Sequence, residues 1–81
     1  MSKYAPLGRY LAAQPSSEVR LTFAEIERIL GDTLPRSAHH HRAWWANERN
    51  GPHPHARIWM GAGWRVASVN LTAEKVTFAR G

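Results

Sequence analysis

The chain contains no cysteine in its 81 residues. That excludes disulfide staples, thiol nucleophiles and cysteine-ligated zinc. No stretch approaches the roughly 20 apolar residues that span a bilayer. The first residues, Met1-Ser2-Lys3-Tyr4-Ala5-Pro6-Leu7-Gly8, lack the long apolar core of a secretion signal. The expected location is the cytoplasm. Glycine-rich phosphate loops are absent, and no serine stands in a nucleophile-elbow context. Glu48 and His53 lie near each other in sequence, but one acid and one histidine without a second carboxylate make a weak catalytic constellation. The expectation is a non-enzymatic protein without a cofactor.

Acidic residues are also few, six against eleven Lys and Arg. Their distribution is uneven. Residues 1–34 balance Lys3, Arg9, Arg20 and Arg28 against Glu18, Glu25, Glu27 and Asp32. Residues 35–81 set Arg36, Arg42, Arg49, Arg57, Arg65, Lys75 and Arg80 against Glu48 and Glu74 alone, so the whole net charge of +5 lies there. All five histidines lie there too. A one-sided positive charge is the footprint expected of a polyanion binder.

What the chain does have is aromatic bulk. Four tryptophans, Trp44, Trp45, Trp59 and Trp64, are many for one small domain. Each buries a large area, so a core can form without disulfides in a chain of marginal size. A homodimer stays open. Trp44 and Trp45 are adjacent and cannot both fully face one core direction on a regular helix. The favoured expectation is that both are buried, one against the second helix and one against Trp59 or Trp64. The alternative is a tryptophan-rich contact surface with a protein-interaction adaptor role.

Periodicity places the elements. Pro6 suits a first helical turn, with Leu7, Tyr10 and Leu11 at helical spacing until Gln14-Pro15-Ser16-Ser17. Val19, Leu21 and Phe23 alternate as a short strand does. Thr22 and Glu25 have capping-box spacing, Phe23, Ile26, Ile29 and Leu30 form one stripe, and Gly31 ends the helix. A third helix is expected from residue 35 or 37 to 47, with Leu34, Ala38, His41, Trp44 and Trp45 on one side and Arg36, His39, His40, Ala43 and Asn47 on the other. Asn50-Gly51-Pro52 breaks the chain. A short helix follows Pro54, with Ala56, Trp59 and Met60 inward and Gly63 at its end. Trp64 to Leu71 and Lys75 to Arg80 form a hairpin around Thr72-Ala73-Glu74.

This order predicts one α+β domain over residues 1–81, winged helix-turn-helix-like, with three main helices, a short strand and a C-terminal β-hairpin. In that architecture the third helix enters the major groove of double-stranded DNA and the hairpin touches the backbone. Arg36 then suits a guanine edge and Asn47 an adenine edge, although Asn47 equally suits a helix cap. His39 and His40 face phosphates or bases, small Ala43 allows close approach, and Arg42, Arg49, Arg65 and Lys75 neutralise phosphates. His39-His40-His41 does not read as a metal site, because consecutive helical side chains diverge by about 100°.

The motifs Phe23-x-Glu25-Ile26-Glu27-x-Ile29-Leu30-Gly31-x-x-Leu34-Pro35-x-Ser37-Ala38, Trp44-Trp45-x-Asn47 and Trp59-x-x-Ala62-Gly63-Trp64-x-Val66 together resemble an uncharacterised bacterial domain family of unknown function. The likeness covers nearly the whole chain. His53 stands where that family also carries a histidine, whereas the triplet at 39–41 replaces more usual basic residues. The resemblance implies a standalone bacterial domain and no particular activity.

Overall fold

The computed structural model describes residues 3–49, 51 and 54–81. Asn50, Pro52 and His53, which figured in the expected chain break and in the family likeness, lie outside the described residues. The fold is mixed α+β, with four α-helices and a three-stranded antiparallel sheet among the described residues.

Helix α1 (Ala5–Ala12) has proline in its first turn and buries Leu7, Gly8 and Leu11. Strand β1 (Glu18–Thr22) turns its alternate residues Val19 and Leu21 inward. Helix α2 (Phe23–Leu30) starts at a complete capping box. The Glu25 N–H donates to Thr22 Oγ1 at 3.1 Å, and the Thr22 N–H donates to Glu25 Oε1 at 2.8 Å. Gly31 ends the helix at φ 71°, a left-handed conformation that glycine adopts without a side-chain penalty.

The next segment departs from the expected long helix. Helix α3 covers only Arg36–His40. His41 is extended at φ −126° and ψ 113°, and a 3-10 turn, Arg42–Trp45, follows. The reason lies in the tryptophans. The Trp45 indole N–H donates to the Ala38 carbonyl at 2.9 Å. In a continuing α-helix that carbonyl would accept from the residue 42 N–H. The indole takes its place, and the break at His41 allows both adjacent tryptophans to enter the core, at 7% and 2% exposure. Trp44 then stacks on His55 at 3.8 Å, while Trp45 stacks on Phe23 at 5.2 Å and on Trp59 at 6.1 Å.

Helix α4 (His55–Gly61) buries Ala56 and Trp59, as its spacing predicts, and also His55. It crosses α1 closely enough that a Cβ on Gly8 would stand 2.9 Å from Ile58 Cγ2 and 3.2 Å from the Ile58 carbonyl oxygen. Gly63, at φ 86°, turns the chain into the C-terminal hairpin of β2 (Trp64–Asn70) and β3 (Lys75–Arg80).

The strand order is β1-β3-β2, so the last strand is central and the first pairs with it. Val19 stands opposite Phe78 and Leu21 opposite Val76. The β2–β3 register shifts between Val66 and Ser68, a bulge that keeps Val66 and Val69 both on the buried face. That face meets the helices in one core, in which Trp45, Trp59, Trp64, Phe23 and Phe78 are the largest fully buried side chains. The other face of the sheet carries exposed Glu18, Arg20, Arg65, Ser68, Asn70 and Lys75.

Candidate nucleic-acid interface

The residues expected to meet DNA fall into separate groups. The first is at the hairpin end of the sheet. Arg36 opens α3 and is exposed, as is His40. His39 is half-buried. Its ring meets Phe23 edge-on at 5.2 Å, and its Nδ1–H donates to Glu74 Oε2 at 2.9 Å. Glu74 belongs to the hairpin turn, where the Ala73 N–H donates to Asn70 Oδ1 at 2.9 Å. The Glu74 carbonyl accepts from the Phe23 N–H at 2.9 Å. One turn residue therefore ties the hairpin to both α2 and α3, and Lys75 follows it, exposed.

The second group lies along β2, an edge strand. The Asn47 carboxamide receives N–H groups from Val66 and Trp59 on Oδ1 and donates through Nδ2 to the Val66 carbonyl, each at 2.9 Å. The Arg42 Nη1–H donates to the Val69 carbonyl. Together these side chains supply hydrogen bonds that a further strand would make along the β2 edge. An open groove of about 550 Å³ beside them is lined by residues 42, 43, 45–47 and 66–69, with Ala43 exposed. Asn47 thus corrects both expectations for it. It lies beyond the 3-10 turn, it caps no helix, and its oxygen and one amide N–H are committed to the protein.

Arg65 and Lys75 are not neighbours. Arg65 pairs with Ala79 at one end of the hairpin and Lys75 with Asn70 at the other, about 13 Å apart along the strand at 3.3 Å per residue. Arg49 is exposed after the 3-10 turn.

Among the described residues the ion pairs are Lys3–Asp32 at 3.5 Å, Arg20–Glu18 at 3.1 Å and His39–Glu74 at 2.9 Å. Arg36, Arg42, Arg49, Arg65 and Lys75 take part in none of them. Arg80 is occupied differently, over the Trp64 ring at 4.7 Å and donating to the carbonyls of Ser16 and Gln14. The carboxylates with displaced titration lie in the first half. Glu25 is held below its ordinary value by hydrogen bonds from the Thr22 backbone and then side chain. Asp32 is held down by the Thr33 N–H first and by the Lys3 charge second.

The tryptophans are buried, as the favoured expectation for Trp44 and Trp45 has it. Trp44, Trp45, Trp59 and Trp64 are all buried, the most exposed at 7%. The adaptor reading and an aromatic dimer contact lose the surface they need. Sequence reasoning missed the buried His55, whose Nε2–H donates to the Trp44 carbonyl at 2.6 Å. It also missed Glu74 as more than a turn residue. The His39–Glu74 contact spans 35 positions and has no local signal. Among the described residues no three His, Asp or Glu side chains gather as a metal-ligand set, and no helix is long and apolar enough to cross a membrane.

A family model matches residues 4–81, nearly the entire chain. The chain belongs to that family, Domain of unknown function (DUF7662). Neither a curated protein nor a solved structure matches it. The family supplies no activity, so the functional reading rests on the arrangement of charge on the fold.

Proposed function

We propose that this domain is a non-enzymatic, winged-helix-like binder of double-stranded DNA. The observation that carries the reading is the set of exposed basic residues in the second half, Arg36, Arg42, Arg49, Arg65 and Lys75, which join no ion pair among the described residues. Cations left without an acidic partner at the surface are those that gain most by displacing counterions from phosphates. The chain order supports the same reading. Helix, strand, helices and a hairpin, with the first strand paired to the last, resemble the order of a winged helix, from which the additional helix α4 before the hairpin is a departure.

The geometry also limits what such a binder does. Helix α3 has five residues, about 7.5 Å of helix. It offers Arg36 and His40 to a groove, not a full recognition face. The hairpin turn is tied down by Glu74 and does not project as a long wing. Affinity therefore comes mainly from phosphates, and base preference is modest and confined to the N-terminal turn of α3.

The test compares two charge-matched double variants in a DNA titration. Replacing Arg36 and Lys75 with alanine should weaken binding by about tenfold or more, since two phosphate contacts go. Replacing Arg9 and Arg28, exposed on α1 and α2, should have a far smaller effect. Equal losses in both would mean that net charge alone is sensed and would remove the proposed surface.

A further inference from the structure

The hairpin turn places an acid, Glu74, against helix α3 of the proposed interface. Glu74 has φ 55°, an uncommon left-handed conformation for a residue with a side chain. Its carbonyl is held by the Phe23 N–H and its carboxylate by the His39 Nδ1–H, each at 2.9 Å. The two side chains remain 56% and 31% exposed, so the contact is open to solvent. Arg36 lies three residues before His39 and therefore on the same side of α3.

A phosphate oxygen and the Glu74 carboxylate need the same partner, an imidazole N–H, and both are anionic acceptors. We infer that Glu74 is a built-in competitor of the DNA backbone. It occupies His39 in the free protein and repels phosphate from α3 beside the hairpin turn, so it holds affinity down. This inference rests on the proposed DNA-binding function and adds the residue that sets its strength.

The experiment is an anisotropy titration of a labelled 25-base-pair duplex (a probe length of about two turns) with wild type, Glu74→Gln, Glu18→Gln, His39→Ala and the double variant His39→Ala with Glu74→Gln. Glu18→Gln removes an equal charge from the far end of β1, where Glu18 stands opposite Ala79. Glu74→Gln should tighten binding about threefold to tenfold, well beyond Glu18→Gln, because the charge it removes is local to the interface. That gain should shrink when His39 is already alanine. Glu74→Asn removes the same charge and suits a left-handed turn position, so it should also tighten binding and guards against a disturbed turn in the glutamine variant. Equal effects of Glu74→Gln and Glu18→Gln, or a gain undiminished by loss of His39, would overturn the inference while leaving DNA binding in place. Failure of every variant to bind duplex would overturn the DNA-binding reading itself, and the inference with it.

Discussion

The carboxamide of Asn47 closes on the backbone of Val66 from both sides. Its Oδ1 accepts the Val66 N–H and its Nδ2 donates to the Val66 carbonyl, each at 2.9 Å. A side chain here stands in for a neighbouring peptide on the β2 edge. The same oxygen accepts the Trp59 indole N–H at 2.9 Å and so fastens α4 to the sheet.

Asn47→Asp should therefore be costly despite its small change in volume. The aspartate keeps two acceptors but cannot donate to the Val66 carbonyl, and sets its second oxygen against it. Loss of one hydrogen bond with an acceptor left unpaired costs about 1–3 kcal/mol. Urea unfolding should show a lower midpoint with an unchanged slope. An unchanged midpoint would mean that the Asn47 contacts add no net stability.

Two glycines should respond to alanine with opposite signs. A methyl on Gly8 meets Ile58 at 2.9 Å, whereas nothing stands within 4 Å of the corresponding position on Gly61. Gly8→Ala should destabilise by about 1–3 kcal/mol through overpacking, more than the helix propensity gained. Gly61→Ala should be neutral or stabilise by up to about 1 kcal/mol. Thermal melts of the two variants decide it, and a stabilised Gly8→Ala would show that α1 and α4 do not cross as described.

The tryptophans should likewise differ. Trp45→Phe leaves the Ala38 carbonyl without its indole partner, while Trp64→Phe removes an Nε1–H that is buried without a hydrogen-bond partner among the described residues. Trp45→Phe should therefore be the more destabilising by about 1–3 kcal/mol. Matching losses in chemical denaturation would mean that ring volume alone matters at both positions.

Acid should weaken the start of α2. The folded-state titration of Glu25 lies below its ordinary value, chiefly because the Thr22 N–H donates to it. The stabilisation it provides is present above the unfolded pKa and is lost as pH falls through the folded one. Glu25 is fully exposed, so the effect is small. Thr22→Ala, which removes half of the capping box, should lower stability by about 1 kcal/mol at neutral pH. Glu25→Gln, which removes the titrating group itself, should flatten the slight decline between neutral and acidic pH. An equally steep decline in the variant would place the acid sensitivity elsewhere.

Much of the fold was legible because its signals are local. Thr22, Glu25 and Gly31 mark both ends of α2 within ten residues, and alternation marks β1 and the hairpin. The third helix was misread because its apolar spacing fits a regular helix through Trp45. What breaks it is the Trp45 indole taking the Ala38 carbonyl, a choice made by the packing of Phe23 and Trp59. The candidate surface was partly legible. Charge asymmetry marked Arg36, Arg42, Arg49, Arg65 and Lys75 as candidates, yet could not say that Arg65 and Lys75 stand at opposite ends of the hairpin. Asn47 was misassigned for the same reason. A polar residue near a helix end looks like a base reader or a cap until its partners, 12 and 19 positions away, are known.

The central claim is that this basic surface holds duplex DNA. The most direct test is a fluorescence anisotropy titration of the wild-type chain with a random-sequence duplex at about 50 mM and about 200 mM salt. The account predicts micromolar or tighter binding at the lower salt and a loss of about tenfold or more at the higher, as several phosphate contacts require. Absence of binding at low salt, or an affinity indifferent to salt, would contradict it.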